Sequence, residues 1–576
     1  MYQFFIKHRQ VLLSVNSPIA QLADQSVRFV CRHTKTYTSI LQRTLNPKFL
    51  RDGADRSIQI DILSHAMLDS ETKPFCWPLL QIEQQALEQM DVPLFTTSAD
   101  SENLTLAPHK TIPQFFREPS INAVMTRLSQ LSDDDLKQQI SFIEGALYSR
   151  TIDDAHLLVS PNYAAFQLNS FSPLAHQQII EQALIIAAEL QKKAVCSKDG
   201  SAIWFAPQYI PEAQRFQFKP MAYRLYDGSL GVSLFLAALE KVTTGAGYRD
   251  LALGALQSLR QDLQEPTFAG SLQAMGIGGA LGLGSIIYAL VRVSQLLEEP
   301  VLLTDAKQVA CLIIPELIAA DKEFDIVSGA AGAILGLLAL YHNSDDSDVL
   351  ARAVATGEHL LNNRTRSNLG YRAWATFEGK LLTGFSHGAA GIAYALLRLY
   401  QATRKAIYLE AAQEAIAYER SVFISKLGNW PDFRYPDTDN QAKCLCSWCH
   451  GAPGIGLARV AGLDSLDTDE IRQDIESAIK TTKEYNGLGV DHLCCGNLGR
   501  VEFLFTAGQK LSRPELLEAA MEQAARVVAR ARQKGSFTYS SFLPYNPSFF
   551  QGVSGIGYEL LRLAYPDQLP SVLLWE

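Results

Sequence analysis

Apolar and polar positions recur at helical spacing along most of the chain. In LAHQQIIEQALIIAAELQKKAV, residues 174–195, apolar side chains return every three or four positions with polar ones between, as on an amphipathic helix. Further on, two kinds of segment take turns. Half-polar ones such as VLLTDAKQVACLIIPELIAA suit helices with one wet face. Almost wholly apolar ones such as GAILGLLALY and GIAYALLRLY must be buried on most sides. A Gly-x-x-Gly turn opens each apolar segment: Gly228/Gly231, Gly279/Gly282, Gly329/Gly332, Gly388/Gly391, Gly451/Gly454, Gly496/Gly499 and Gly552/Gly555. A period near fifty residues marks a repeat architecture. Strand signals are sparse, so the expected fold is mainly α.

Seven such pairs can close into a double ring, with the apolar helices as an inner barrel and the glycine turns gathered at one mouth. Helix N-termini, with their free N–H groups and partial positive charge, would converge there. An open helical solenoid would carry the same period. Residues 1–170 lack the repeat and mix helical patterning with polar, Pro-containing loops such as DSETKPFCWP and TTSADSENLTLAPHKT. The expected organisation is therefore a separate region over 1–170 and one large repeat unit over 171–576.

Composition narrows the function classes. A net charge of -9, with both signs mixed along the chain, argues against nucleic acid or an anionic membrane as main partner. The start, MYQFFIKHRQVLLSV, does not have the form of a signal peptide. The uncharged stretch from Pro266 to Val291 is long enough to span a bilayer, but glycines cluster in it at the second turn, and a buried core helix is the better reading. A cytoplasmic protein without an integral membrane segment is expected. Of the nine cysteines, Cys444, Cys446, Cys449, Cys494 and Cys495 fall close together in sequence, which in a cytosolic chain points to metal or catalysis before disulfides.

Three turns hold the chemistry: GFSHGAAG (384–391), SWCHGAPG (447–454) and HLCCGNLG (492–499). Each places His387, Cys449 or the pair Cys494 and Cys495 just before its first glycine or one position further back. Three thiolates on two turns form a plausible Zn²⁺ site, since zinc is tetrahedral and favours sulfur and imidazole. With Cys449, Cys494 and Cys495 as ligands, a fourth position stays open, as a catalytic zinc requires. The alternatives are a closed four-sulfur knot drawing on Cys444 and Cys446, and His450 or His492 as fourth ligand.

These segments resemble the lanthionine synthetase C family of cyclases, whose signature turns stand here as Ser386-His387-Gly388, Trp448-Cys449-His450-Gly451 and Cys494-Cys495-Gly496. The resemblance covers about residues 175–576. It implies an α/α toroid of seven inner and outer helix pairs, one zinc ion per chain, and addition of peptide thiols to dehydroalanine or dehydrobutyrine. It also implies that Cys495 replaces a more usual histidine ligand, as in a subset of class II synthetases with three cysteine ligands. Three thiolates give the metal more negative charge than two thiolates and an imidazole, so a bound substrate sulfur should be less acidified but more nucleophilic. His387 is the candidate for proton transfer. Asp325, in FDIVSGAAG, looks like the family's active-site aspartate by order and spacing, with a helix N-cap carboxylate as the alternative. Asp227 reads more as a cap.

The segment VRFVCRHTKTYTSILQRTLNPKFLRDGADRS resembles the end of the kinase-like dehydratase domain that precedes the cyclase in class II, or LanM-type, lanthipeptide synthetases. Arg28 and Thr34 match that family's elimination pair, where a guanidinium can hold a leaving phosphate; a surface arginine and a strand threonine are the alternative. The sequence carries no Gly-rich phosphate loop, DFG-like metal motif or kinase-type catalytic loop. The ATP and Mg²⁺ residues are therefore expected upstream of Met1, and the chain is read as the C-terminal part of such a synthetase. Its expected partner is a precursor peptide with its leader, with a separate N-terminal dehydratase subunit as an option. The competing functions are another thiol-activating α/α toroid, such as a prenyltransferase, and a non-catalytic remnant that binds peptide or serves as scaffold.

Overall fold

A computed structural model describes residues 1–68, 73–107, 110–150, 174–210, 215–243, 245–265, 268–435, 443–485, 489–539 and 545–576. They form two compact units, Met1–Ile143 and Glu144–Glu576. That division falls within helix Asp133–Tyr148. The sequence boundary at 170 lies outside the described residues.

The first unit combines helices with a four-stranded antiparallel sheet in the order β1 (Ser26–Phe29), β2 (Phe95–Ser98), β3 (Leu104–Ala107) and β4 (Lys110–Ile112). Runs of three or four residues are too short for a clear alternating pattern, which is why the sequence signals them weakly. A small core holds Tyr37, Ile40, Ile60 and Leu63. Beside it the buried Glu83 carboxylate accepts from Arg32 at 2.8 and 3.1 Å and from the Tyr37 hydroxyl at 2.6 Å. Arg28 is exposed on β1, opposite Thr96. Thr34 is also exposed and opens helix Thr34–Thr44, with His33 as its cap.

The second unit is a ring of helix pairs. In chain order its helices are α1 (His176–Lys193), α2 (Ser229–Thr243), α3 (Arg249–Asp262), α4 (Leu283–Leu297), α5 (Val301–Cys311), α6 (Ala330–Ser344) and α7 (Ser347–Asn362). They continue with α8 (Ala389–Thr403), α9 (Ala406–Ser421), α10 (Ala452–Gly462), α11 (Asp469–Glu484), α12 (Asn497–Lys510), α13 (Pro514–Lys534) and α14 (Val553–Ala564). The even-numbered helices form the inner barrel, each packing on the next, and α14 closes the circle against α2. Each odd-numbered helix backs an inner one, and α1 backs α14. The fold is an α/α toroid, and the solenoid alternative falls with the α14–α2 contact.

Burial follows the sequence pattern. In α6 every residue from Ala330 to Leu340 is buried. In outer α7 only a stripe is buried: Val349, Ala353, Thr356, Gly357 and Leu360. Neighbouring inner helices come very close at small residues. A Cβ on Gly336 would lie 2.5 Å from the Gly284 carbonyl oxygen. One charged group is buried for a local reason. Glu419, on α9, accepts from the Gly384 and Ala390 amides at 3.0 and 3.1 Å, capping the start of α8 and fixing the turn that carries His387. Arg459 neutralises it at 2.7 Å.

The turns are tied to each other by backbone hydrogen bonds. The amide of Tyr226 donates to Ala280 (3.1 Å), Gly279 to Ile326 (3.0 Å), Ile326 to Ser386 (3.2 Å), and Ser386 to Cys449 (3.2 Å). Cys449 then donates to Cys494 (3.2 Å), Cys494 to Phe550 (2.9 Å), and Phe550 back to Tyr226 (3.1 Å). Each turn therefore donates to the next, and the seventh returns to the first. The second repeat departs from the spacing reading. Gly282, not Gly279, caps the inner helix, as Gly329, Gly388, Gly451, Gly496 and Gly552 do in theirs. The run GIGGALGLG offers more than one Gly-x-x-Gly register, and packing decides between them: a Cβ on Gly279 would lie 2.7 Å from Gly332.

Candidate metal centre

In five of the turns the residue that joins the hydrogen-bonded circle stands two before the glycine; Cys449 and Cys494 both occupy that position. Cys495 follows one residue later. The cap Gly451 is itself required: its φ is +94°, and a Cβ would lie 1.8 Å from the Leu445 carbonyl oxygen.

The three sulfurs lie within 4.8 Å of one another, the one such group of potential metal ligands among the described residues. Cys449 Sγ is 3.2 Å from Cys495 Sγ, which is 3.5 Å from Cys494 Sγ. A tetrahedral zinc site with metal–sulfur bonds of about 2.3 Å spaces its sulfurs about 3.8 Å apart, so a small outward movement admits the ion. Cys449 and Cys494 are buried, whereas Cys495 is exposed, so the group is reachable from solvent. Hydrogen bonds from Cys494 and Cys495 hold the Cys449 thiol well below its ordinary pKa, and giving those bonds pushes both donors well above theirs. Three thiolates here require a cation. The donor set therefore fits zinc by spacing and by softness.

The rival ligands lie elsewhere. Cys444 and Cys446 are not in the sulfur group. His450 Nε2 is 3.5 Å from Ser386 Oγ, and His492 Nδ1 faces the Cys495 amide at 3.4 Å. Burial pushes both imidazoles down to about 4, so they are neutral near pH 7. Exchanging both Cys444 and Cys446 for serine is accordingly expected to leave zinc stoichiometry unchanged, as measured by metal analysis after dialysis.

His387 reaches across one repeat to Asp325. Its Nδ1 is 2.6 Å from Asp325 Oδ2, and the carboxylate's other oxygen accepts from the Ser328 and Gly329 amides at 2.7 and 3.2 Å. Asp325 thus serves both its helix start and the imidazole, so the two readings of that residue coexist. Burial lowers the proton affinity of His387, but the Asp325 charge and hydrogen bond outweigh it, and the pKa is raised. The His387 ring stacks near that of His450, 5.9 Å between centroids. Asp227 pairs with Arg224 at 3.6 Å instead.

Two residues near the sulfurs escape sequence reasoning. Tyr226 donates its hydroxyl to Cys494 Sγ at 3.1 Å and stacks on Phe550, 4.9 Å apart. Its signal was available, since it holds the same place before Gly228 that Cys449 and Cys494 hold before their glycines. Arg434 sits in an irregular loop, paired with Asp432 at 3.0 and 2.8 Å. Its charge acts on both Cys449 and His387. Nothing in the repeat marks it.

The sequence and the fold have counterparts among known proteins. The sequence pattern of lanthionine synthetase C-like proteins matches residues 219–574, and the chain belongs to that family. A domain of unknown function, DUF4135, matches residues 1–98. The lacticin 481/lactococcin biosynthesis protein LcnDR2 of Lactococcus lactis subsp. lactis is 19% identical over 581 residues, covering 97% of this chain and 58% of that one. The chain thus spans less than two thirds of that relative. These matches agree with the resemblance to class II lanthipeptide synthetases. Among solved structures, nisin cyclase is similar at 17% identity and a TM-score of 0.47, over 61% of this chain and 92% of that one. A sugar epimerase from a ruminal bacterium is similar at 12% identity and a TM-score of 0.36, over 68% and 99%. Among the described residues no helix is long and apolar enough to cross a membrane.

Proposed function

We propose that the chain is a zinc-dependent lanthionine cyclase, the C-terminal part of a class II synthetase, acting in the cytoplasm on a ribosomally made precursor peptide with its leader. The observation that carries this reading is the convergence of Cys449, Cys494 and Cys495 within 4.8 Å, on a mouth that also holds the His387–Asp325 pair. Cys449, Cys494 and Cys495 would hold one Zn²⁺, which when bound favours the thiolate form of a substrate cysteine at neutral pH. The substrate sulfur attacks the β-carbon of a dehydroalanine or dehydrobutyrine in the same peptide, and the α-carbon then takes up a proton. His387 supplies that proton. Asp325 accepts from Nδ1–H, which leaves Nε2 as the atom that meets the substrate. The Asp325 charge and hydrogen bond raise the proton affinity of His387, which favours its donor form.

The N-terminal unit is read as the end of a dehydratase domain, with Arg28 and Thr34 as its elimination pair.

A pre-dehydrated, cysteine-containing peptide tests the cyclase reading. Incubated with zinc-loaded protein, it should lose alkylatable thiol with no change in mass. Retention of the thiol under these conditions, with the cognate leader supplied, would reject the reading.

A further inference from the structure

A short segment occupies the interior of the ring. Residues Leu569, Val572, Leu573, Leu574 and Trp575 are all buried. Side chains from four different repeats bond to this segment's backbone. Tyr558 donates to the Pro570 carbonyl at 2.9 Å, Trp448 to Leu573 at 3.3 Å, Tyr394 to Leu574 at 2.9 Å and Tyr288 to Glu576 at 3.1 Å. These donors stand on α14, the fifth turn, α8 and α4. One stretch of chain can reach all of them only from within the barrel.

Its indole then returns to the turns. Trp575 Nε1 donates to the Gly279 carbonyl at 2.9 Å. The ring lies 6.3 Å from Trp448 and 5.9 Å from Phe550, centroid to centroid. Both neighbours bear on the sulfur ligands: Trp448 directly precedes Cys449, and the Phe550 carbonyl accepts from the Cys494 amide at 2.9 Å. Trp575 holds this place at a φ of +55°, a conformation that a bulky L side chain rarely adopts. Strain of this kind persists only where the surroundings over-determine it, and it gathers at functional positions.

We propose that residues 569–576 form a central plug and that Trp575 is a positioning residue for the metal centre, bracing the Cys449 and Cys494 turns from inside the ring. The proposal rests on the reading of the three cysteines as zinc ligands. The indole fills the space beneath Trp448 and Phe550, and its N–H fixes the second turn, which is bonded to the first and third. Removing the ring lets the two ligand-bearing turns drift, and a three-sulfur site loses affinity when its ligands are no longer held at tetrahedral spacing.

The test compares the full chain with Trp575→Ala, Trp575→Phe and Cys449→Ala. Zinc affinity is measured by competition with a chromophoric chelator, ligand geometry by the absorption of the Co²⁺-substituted proteins, and folding of the metal-free proteins by circular dichroism. Trp575→Ala should fold, bind zinc at least tenfold more weakly and show a changed cobalt–thiolate spectrum. Trp575→Phe, which keeps the stacking and loses the N–H, should weaken zinc by a few-fold. A folded Trp575→Ala with unaltered affinity and spectrum overturns the proposal and leaves the zinc reading intact. Should Trp575→Ala fail to fold, Trp575→Phe decides, and wild-type affinity and spectrum in that variant overturn the proposal. Failure of the wild-type protein to bind zinc or cobalt removes the metal reading, and the plug's role falls with it.

Discussion

Cys449→Ala is expected to remove zinc and cyclisation together. Cys449 is the thiol that its two neighbours stabilise as thiolate, and its sulfur is 3.2 Å from that of Cys495. Alanine leaves two sulfurs of the three that come together there, too few to hold the ion by themselves. Zinc content should fall from one per chain to near zero after dialysis, and thiol consumption should drop by roughly a thousandfold or more, since the thiolate-generating function is lost altogether. The variant should stay folded, because a small buried side chain is replaced by a smaller one. Metal analysis, circular dichroism and alkylation-coupled mass spectrometry on one preparation would check all three. Full zinc content in the variant would move the metal to other ligands.

The second large effect concerns the His387–Asp325 pair. His387→Ala should lower the cyclisation rate by about a hundredfold to a thousandfold, within the range for a positioned proton donor, while zinc content stays at one per chain. The pH dependence separates the partners. His387 has a raised pKa, so its donor form persists to higher pH than in an ordinary imidazole and is lost as pH rises through that raised value. In Asp325→Asn the carboxylate's charge is gone and burial dominates, so the imidazole loses its proton at lower pH. The alkaline limb of the rate profile should therefore shift to lower pH in Asp325→Asn. It should also vanish in His387→Ala. An unmoved limb in Asp325→Asn would assign the titration to another group.

Much of this centre is legible in the sequence because a repeat converts position into place. Cys449 and Cys494 share one station relative to their glycines, and His387 and Cys495 the next, so their convergence follows once the ring closes. Asp325 could be named by its distance from His387, with a helix cap as the alternative, but that one carboxylate serves both is a matter of geometry. Tyr226 holds the station of Cys449 and Cys494, but that place alone does not single it out, because its hydroxyl matters only if the first turn reaches past the seventh to the sixth, which closure alone ensures. Arg434 lies in an irregular loop outside the repeat and leaves no pattern. In the second repeat, a glycine-dense run misdirected the register by three residues. Nothing in the residues LPSVLLWE marks a central segment, since only the lumen of the barrel gives them neighbours. The short strands of the first unit were illegible for want of length.

The circle of turn-to-turn hydrogen bonds also sets an order of assembly. Its last link joins Phe550 to Tyr226, and its last helix, α14, needs both α2 and α1, residues more than three hundred positions earlier in the chain. Contacts of such separation carry the largest loop-closure cost and form late. The Cys494 amide rests on Phe550, so the sulfur group reaches its final spacing only when this seam is sealed. On the proposed zinc reading, metal uptake would be a chemical timestamp on folding, and a half-made ring would offer no competent centre.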